Sequence, residues 1–148
     1  LGLAREFGAL EVPVIRQRLA WCYSKVEIMR YLGYRSLTGW LHGAQPGPES
    51  SIFKNFWSEY QKVETELAMD IMGLAGLAPT GRAPMASFQT DDVGAPNDTA
   101  SWAGVFLNAR AGTIYAGSAE IQRNILGEMV LGLPKEPKVD GGSWSGRA

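Results

Sequence analysis

Two long stretches with the apolar period of an α-helix limit the possible folds of this sequence more than any other feature. In the first, from about residue 13 to 42, apolar residues alternate at spacings of four and three. They are Ile15, Leu19, Cys22, Val26, Met29 and Gly33, with Trp40 two turns later. In the second, from about residue 49 to 74, the equivalent stripe consists of Phe53, Phe56, Tyr60, Val63, Leu67 and Ile71. The Gly-Ala-Gln-Pro-Gly-Pro run between them predicts an antiparallel helical hairpin that must bury both stripes.

Two shorter helical segments follow the hairpin. One runs from about residue 99 to 112, with Asp98 or Thr99 as its expected cap. Its apolar residues are Trp102, Val105, Phe106 and Ala109. The other runs from about residue 118 to 131, and the apolar residues that we expect to face inward are Ile121, Ile125 and Met129.

The remaining residues connect or follow these four helices. Residues 75 to about 98 contain glycines and prolines that break any helical period, which predicts a long loop between the second and third helices. No strand-like alternation occurs anywhere in the sequence. The predicted fold class is therefore all-α: an up-down four-helix bundle in residues 1–133, followed by a flexible tail at residues 134–148.

Composition excludes several classes of function. The chain has 148 residues and a net charge of −1 without a basic stripe, so nucleic acids and anionic membranes are poor candidate partners. The single Cys22 excludes an internal disulfide and a cysteine-rich zinc site. No apolar run reaches the roughly 18 residues that span a bilayer. We expect the protein to be cytoplasmic and to bind no metal. The sequence starts within a helical pattern and without an initiator methionine, so we expect a fragment or a matured piece of a longer protein.

Four isolated features carry weak functional signals. Residues 76–83 have the glycine spacing of a phosphate-binding loop but lack its lysine and Ser/Thr. His42, the only histidine, is expected to complement a helix dipole, and Cys22 is expected to be a core residue. Asp70 lies beside the apolar stripe of the second helix, where it is either a solvated flank residue or faces a polar ligand.

A stronger signal comes from residues 115–120, Tyr-Ala-Gly-Ser-Ala-Glu, which join a glycine turn to the predicted start of a helix. Gly117 allows the backbone to turn, and Ser118 adds a hydroxyl group. The unpaired N–H groups at such a helix start attract anionic or electron-rich groups. The residues alone leave two interpretations open, a plain helix cap and a ligand contact.

Residues 114–134 extend this turn into Ile-Tyr-Ala-Gly-Ser-Ala-Glu-Ile-Gln-Arg-Asn-Ile-Leu-Gly-Glu-Met-Val-Leu-Gly-Leu-Pro, which closely resembles the C-terminal signature of the flavin-dependent acyl-CoA dehydrogenases. Looser similarities occur at residues 5–8, 16–20 and 70–76. The segment is most similar to actinobacterial members, many of which serve sterol side-chain or other lipid catabolism. The resemblance implies a three-domain subunit in which an N-terminal helical domain and a β-barrel precede this C-terminal bundle. It also implies a homo- or hetero-oligomer, a dimer or tetramer.

The activity that the resemblance implies is the α,β-dehydrogenation of an acyl-CoA thioester with FAD as cofactor. In this reaction a carboxylate removes the α-proton and the flavin accepts a hydride from the β-carbon. The flavin contacts that the resemblance implies fall on Ser118, Ala119 and Glu120. Those to the substrate fall on Gly117 and Tyr115.

Two further flavin contacts that the resemblance implies carry substitutions in this sequence. A glutamine that touches the flavin of a neighbouring subunit corresponds to Asp70, and the second glycine of the same stretch corresponds to Leu74. An arginine that binds flavin corresponds to Ala4, so Arg5 is the displaced candidate for this contact.

Ala116 occupies the position at which the commonest form of the signature carries its glutamate base, so we predict no catalytic residue at the usual place. Three alternatives stay open: a base on the helix that precedes this sequence, a base supplied by a partner subunit, or a non-catalytic assembly module that completes a partner's site. The 148-residue piece alone is expected to be inactive, because the resemblance implies that the β-barrel, which precedes this domain, carries most of the flavin contacts.

Overall fold

The computed structural model describes residues 1–45, 47–48, 50–78, 80 and 99–135. Five α-helices form most of this part of the chain, and they are α1 (Gly2–Glu6), α2 (Pro13–Leu41), α3 (Ser50–Met72), α4 (Thr99–Ala109) and α5 (Ala119–Ile125). Short 3-10 turns occur at Ala9–Glu11, Gly73–Gly76 and Ala111–Thr113, and a π-helical turn at Leu126–Val130 extends α5. These ranges contain no strand, and the all-α prediction is confirmed.

The helix α3 lies at the centre, and α1, α2, α4 and α5 each pack against it. Arg18 pairs with Asp70 near the end of α3, whereas Lys25 lies over the ring of Phe56 nearer its start. The α2 helix is therefore antiparallel to α3, as the predicted hairpin requires.

The two shorter helices complete the alternation of direction. Trp102 of α4 packs beside Met72, and the later Arg110 bonds to the earlier Glu66, so α4 is antiparallel to α3. The α5 helix is parallel to α3, because the turn before it contacts Lys54 while Arg123 pairs with Glu59. The up-down arrangement of the four longer predicted helices is confirmed.

Two small clusters of buried side chains form the core. One contains Leu3, Ala68 and Met72, which join α1 to the end of α3. The other contains Cys22, Tyr60 and Leu67 and joins α2 to α3. Around it pack four further residues of the predicted stripes, Ile15, Leu19, Met29 and Ile71. The stripes thus predicted the contact between the two long helices.

Some side chains depart from the predicted orientation. Trp40, at the end of the first stripe, is 63% exposed because α2 extends beyond the cover of α3. The inward orientation predicted for Ile121 and Met129 is wrong, since they are 52% and 66% exposed, while Ile125 is half-buried. For Met129 the physical reason is the π-helical turn, in which the Leu131 N–H donates to the Leu126 carbonyl and the α-helical register is lost. Ile121 precedes this turn and lies on the exposed side of α5.

Several predictions concern residues outside the described part of the chain. They include the cap at Asp98, the side chain of Thr99, most of the loop at 75–98 and the flexible tail beyond residue 135. Residues 75–78 belong to the 3-10 turn and bend that follow α3. Within the described ranges, no helix is both long and apolar enough to cross a bilayer.

Candidate functional site

The turn between α4 and α5 has an unusual backbone. Ala116 has a φ of 53° and Gly117 a φ of 87°, so two successive residues lie in the left-handed region. Glycine adopts this conformation without strain, whereas for alanine it costs roughly 1–2 kcal/mol. Such strain persists only where surrounding contacts hold the backbone in place. The turn must therefore be fixed by residues outside it.

Two side chains from different helices fix this turn. Lys54 of α3 donates from Nζ to the Gly117 carbonyl at 2.6 Å, in a partly buried position. Gln122 of α5 donates from Nε2 to the Ala116 carbonyl at 2.9 Å. A Cβ at Gly117 would lie 2.7 Å from the same Nε2 atom, so only glycine leaves room for this bond.

The start of α5 follows directly from the turn. Ser118 is the N-cap, and its hydroxyl accepts the Ile121 N–H at 3.4 Å, which confirms the predicted helix cap. Ala119 is buried, whereas Glu120 is exposed. Hydrogen bonds from the backbone N–H of Glu120 and from the Ser118 side chain hold the pKa of the Glu120 carboxyl below its usual value.

Tyr115 stands at the other end of the turn. Its N–H donates to the Ala111 carbonyl at 3.1 Å, and its ring is 38% exposed. Partial burial raises the pKa of its phenol. The structure thus brings together the predicted substrate and flavin residues of the turn: Tyr115, Gly117, Ser118, Ala119 and Glu120.

The other two predicted cofactor residues lie at the opposite end of α3. Asp70 is exposed and forms an ion pair with Arg18 of α2. Arg5 is exposed on α1, which packs against the end of α3 through Leu3. At 1.5 Å per residue, Asp70 and Lys54 are about 24 Å apart along the helix axis. The sequence-predicted residues therefore form two separate groups within one chain.

Fit to a flavin differs between the two groups. The turn offers the Ser118 hydroxyl and the start of a helix, which suit an electron-rich ring edge. At the other end, Arg18 neutralises the Asp70 carboxylate, so the pair suits neutral polar groups better than a pyrophosphate. Ala4, at the position of the implied arginine, is only 1% exposed and offers no polar contact.

A groove of about 650 Å³ between α2 and α3 is lined in part by the carboxylate of Glu64. Burial raises the pKa of Glu64, while a hydrogen bond from Tyr60 lowers it. Cys22 lines the same groove as a core residue, and burial raises the pKa of its thiol. Glu64 lies ten residues from Lys54, or about 15 Å along α3, which separates it from the turn.

Lys54 and Gln122 are site residues that sequence reasoning missed. Lys54 is one of several charged residues of its helix, and it lies 63 residues from the carbonyl that it binds. No local pattern signals such a contact. Gln122 stands within the signature segment, and its position four residues after the Ser118 cap was the available signal. In the described part of the chain, no group of three or more His, Cys, Asp or Glu residues is placed to hold a metal ion.

Comparison with known proteins gives a consistent set of matches. Residues 4–131 match the family described as "Acyl-CoA dehydrogenase, C-terminal domain". The chain is 37% identical over 136 residues to the acyl-CoA dehydrogenase IpdE1 of Mycolicibacterium smegmatis, covering 92% of this chain and 30% of that protein. Its identity to the protein of the same name from Mycobacterium tuberculosis is 36% over 136 residues, covering 92% and 31%. The chain thus spans about 30% of the length of these relatives.

A solved structure also shares the fold. The "Tcur3481-Tcur3483 steroid ACAD" superposes with a TM-score of 0.69 at 24% sequence identity. The similarity covers 90% of this chain and 32% of that one.

Proposed function

The chain belongs to the acyl-CoA dehydrogenase family, and on that premise we propose that it is the C-terminal domain of a flavin-dependent protein that dehydrogenates an acyl-CoA thioester at its α,β bond. The observation that carries this proposal is the fixed turn at residues 115–120, which presents a capped helix start within the matched region. The resemblance to actinobacterial members favours a lipid- or steroid-derived acyl group.

Each residue of the turn has a distinct task under this proposal. Tyr115 and Gly117 border the thioester end of the substrate, and the missing Cβ of Gly117 leaves room for the Gln122 side chain that holds the turn. Ser118, Ala119 and Glu120 face the flavin of the same site. When bound, FAD supplies the hydride acceptor for the substrate β-carbon.

The opposite end of α3 serves another site in this proposal. Asp70, paired with Arg18, and the exposed Arg5 contact polar groups of the flavin held by a neighbouring subunit. The subunits form a dimer or tetramer, either of one kind or of two. Exposed apolar side chains on α2 support such assembly, among them Tyr31, Leu37, Trp40 and Leu41.

The base that removes the α-proton comes from outside this chain segment. Ala116 has no ionisable group, and Glu120 is a poor substitute because its carboxyl is exposed and its pKa is lowered. Two sources remain: the helix that precedes this domain in the full-length protein, and a partner subunit. In either case the base must come within hydrogen-bond reach of the substrate α-carbon.

The second candidate function is a non-catalytic assembly module that completes the FAD and acyl-CoA site of a partner subunit. Ala116 is the observation that favours it, because the fold and the turn are retained while the usual base is absent. In both functions we place the protein in the cytoplasm.

One experiment separates the two functions. The full-length protein is purified alone and with its co-expressed partner, and flavin absorbance near 450 nm is followed as steroid- or lipid-derived acyl-CoA thioesters are added. Yellow protein that bleaches on addition supports the enzyme. Colourless protein that co-purifies with a yellow, active partner supports the assembly module and overturns the enzyme. We expect no turnover from residues 1–148 alone.

A further inference from the structure

We propose that Lys54 is a positioning residue, whose ammonium group sets the orientation of the Gly117–Ser118 peptide at the substrate and flavin turn. The inference rests on the proposed function of that turn and assigns a role to a residue on a different helix. Lys54 touches neither ligand in this scheme; it acts through the backbone of the turn.

The first support is the contact itself. The Nζ–oxygen distance of 2.6 Å is short, and the bond is partly buried, so a charged donor meets a carbonyl in a place with limited water. Hydrogen bonds from charged donors are stronger than neutral ones. Gly117 cannot fix its own carbonyl, because glycine has the largest backbone freedom of any residue. The orientation of this peptide therefore depends on an outside donor.

The second support is the pairing with Gln122. Lys54 and Gln122 bind the carbonyls of two successive residues, Gly117 and Ala116, from two different helices. Together they hold an alanine in a conformation that it otherwise avoids. A turn held at two adjacent peptides has little freedom to rotate either one.

The consequence for a ligand follows from the planarity of the peptide bond. In a trans peptide the N–H points opposite to the C=O. Since the Gly117 carbonyl is directed at Lys54, the N–H of Ser118 is directed away from α3. Lys54 thereby fixes the direction of the Ser118 N–H. This backbone donor lies at the start of α5, where the proposed thioester and flavin contacts are.

The test compares two lysines of the same helix in the full-length protein, with its partner where one co-purifies. Lys54→Met removes the donor and keeps most of the side-chain stem. Lys62→Met is the matched control, since Lys62 also sits on α3 but pairs with Glu59 on its own helix. Lys54→Arg is the conservative variant, which keeps the charge. Hydrogen exchange by mass spectrometry follows residues 115–121, and flavin absorbance follows acyl-CoA binding.

We expect Lys54→Met to speed exchange in residues 115–121 about tenfold or more, from the loss of a charge-assisted hydrogen bond. Acyl-CoA binding weakens by a similar factor, while Lys62→Met changes neither and Lys54→Arg restores most of both. Unchanged exchange in Lys54→Met, or an equal increase in Lys62→Met, overturns the proposal. If Lys54→Met does not fold, Lys54→Gln, which shortens the side chain and removes its charge, must speed exchange in the same segment, and unchanged exchange there also overturns the proposal. If the wild-type protein binds no flavin and co-purifies with no yellow partner, the proposed function is refuted. In that case the hydrogen-exchange result still decides whether Lys54 positions the turn.

Discussion

Replacing Gly117 by alanine tests whether outside contacts hold the turn. At a φ of 87° an alanine is strained by roughly 1–2 kcal/mol. Its Cβ would lie 2.7 Å from Nε2 of Gln122, so that side chain must move and release the Ala116 carbonyl. The lost hydrogen bond adds roughly 0.5–1.5 kcal/mol, and the reduced freedom of the unfolded chain returns about 0.4–1 kcal/mol. The expected decrease in the free energy of unfolding is about 2 kcal/mol.

The matched control is Gly73→Ala. Gly73 also has a positive φ, of 52°, but a Cβ there meets nothing within 4 Å, so only backbone strain applies. We expect Gly117→Ala to cost about 1 kcal/mol more than this control in urea unfolding of the chain, followed by tryptophan fluorescence. A Gln122→Ala background should remove that excess, as a double-mutant cycle measures. The reasoning is refuted if Gly117→Ala costs no more than Gly73→Ala, or if the excess survives without Gln122.

Three further predictions concern carboxylates. Burial raises the pKa of Glu64 above its ordinary value of 4.5, so the protonated side chain stabilises the fold below pH 4.5. This contribution to the free energy of unfolding is lost as the pH rises through the folded-state pKa. Glu64→Gln should remove that loss, as urea titrations at increasing pH measure. Asp70→Asn should cost less than about 1 kcal/mol of unfolding free energy, because its ion pair with Arg18 is exposed. Glu120→Gln in the full-length protein should keep most of the dehydrogenation rate, and a hundredfold loss would instead identify Glu120 as the base.

The helices and their alternating directions were predictable because their signal is local. A 3.6-residue period marks an amphipathic helix, and the short Gly/Pro connection after the first long helix permits only an antiparallel neighbour. The cap at Ser118 and the end near residue 132 were predictable for the same reason. Gly132 has a φ of 68°, and the Leu133 N–H closes the helix onto the Gly127 carbonyl.

The contacts that fix the turn were not predictable, because they depend on residues far apart in sequence. Nothing local distinguishes Lys54 from the other charged residues of its helix, and only the packing of α5 beside α3 brings it to Gly117. The conformation of Ala116 is a second case. Alanine by itself favours right-handed backbone, and its positive φ is held by the hydrogen bonds that its own carbonyl and the Gly117 carbonyl accept.

The two groups of predicted site residues, the turn at residues 115–120 and the group around Asp70, lie beside opposite ends of α3. Their separation bears on how a chain with Ala116 could contribute to a catalytic assembly. The turn and Asp70 lie at opposite ends of the helix, so under the proposed function one chain contributes to two sites, its own and a neighbour's. Loss of the base at position 116 affects only the site at the turn. Under the same proposal, the Asp70 end does not depend on that residue and contacts the flavin of the neighbouring subunit. Under the proposed function, such a chain can therefore contribute to the site of a neighbouring subunit even though its own turn supplies no base, which would account for a retained fold with alanine at position 116.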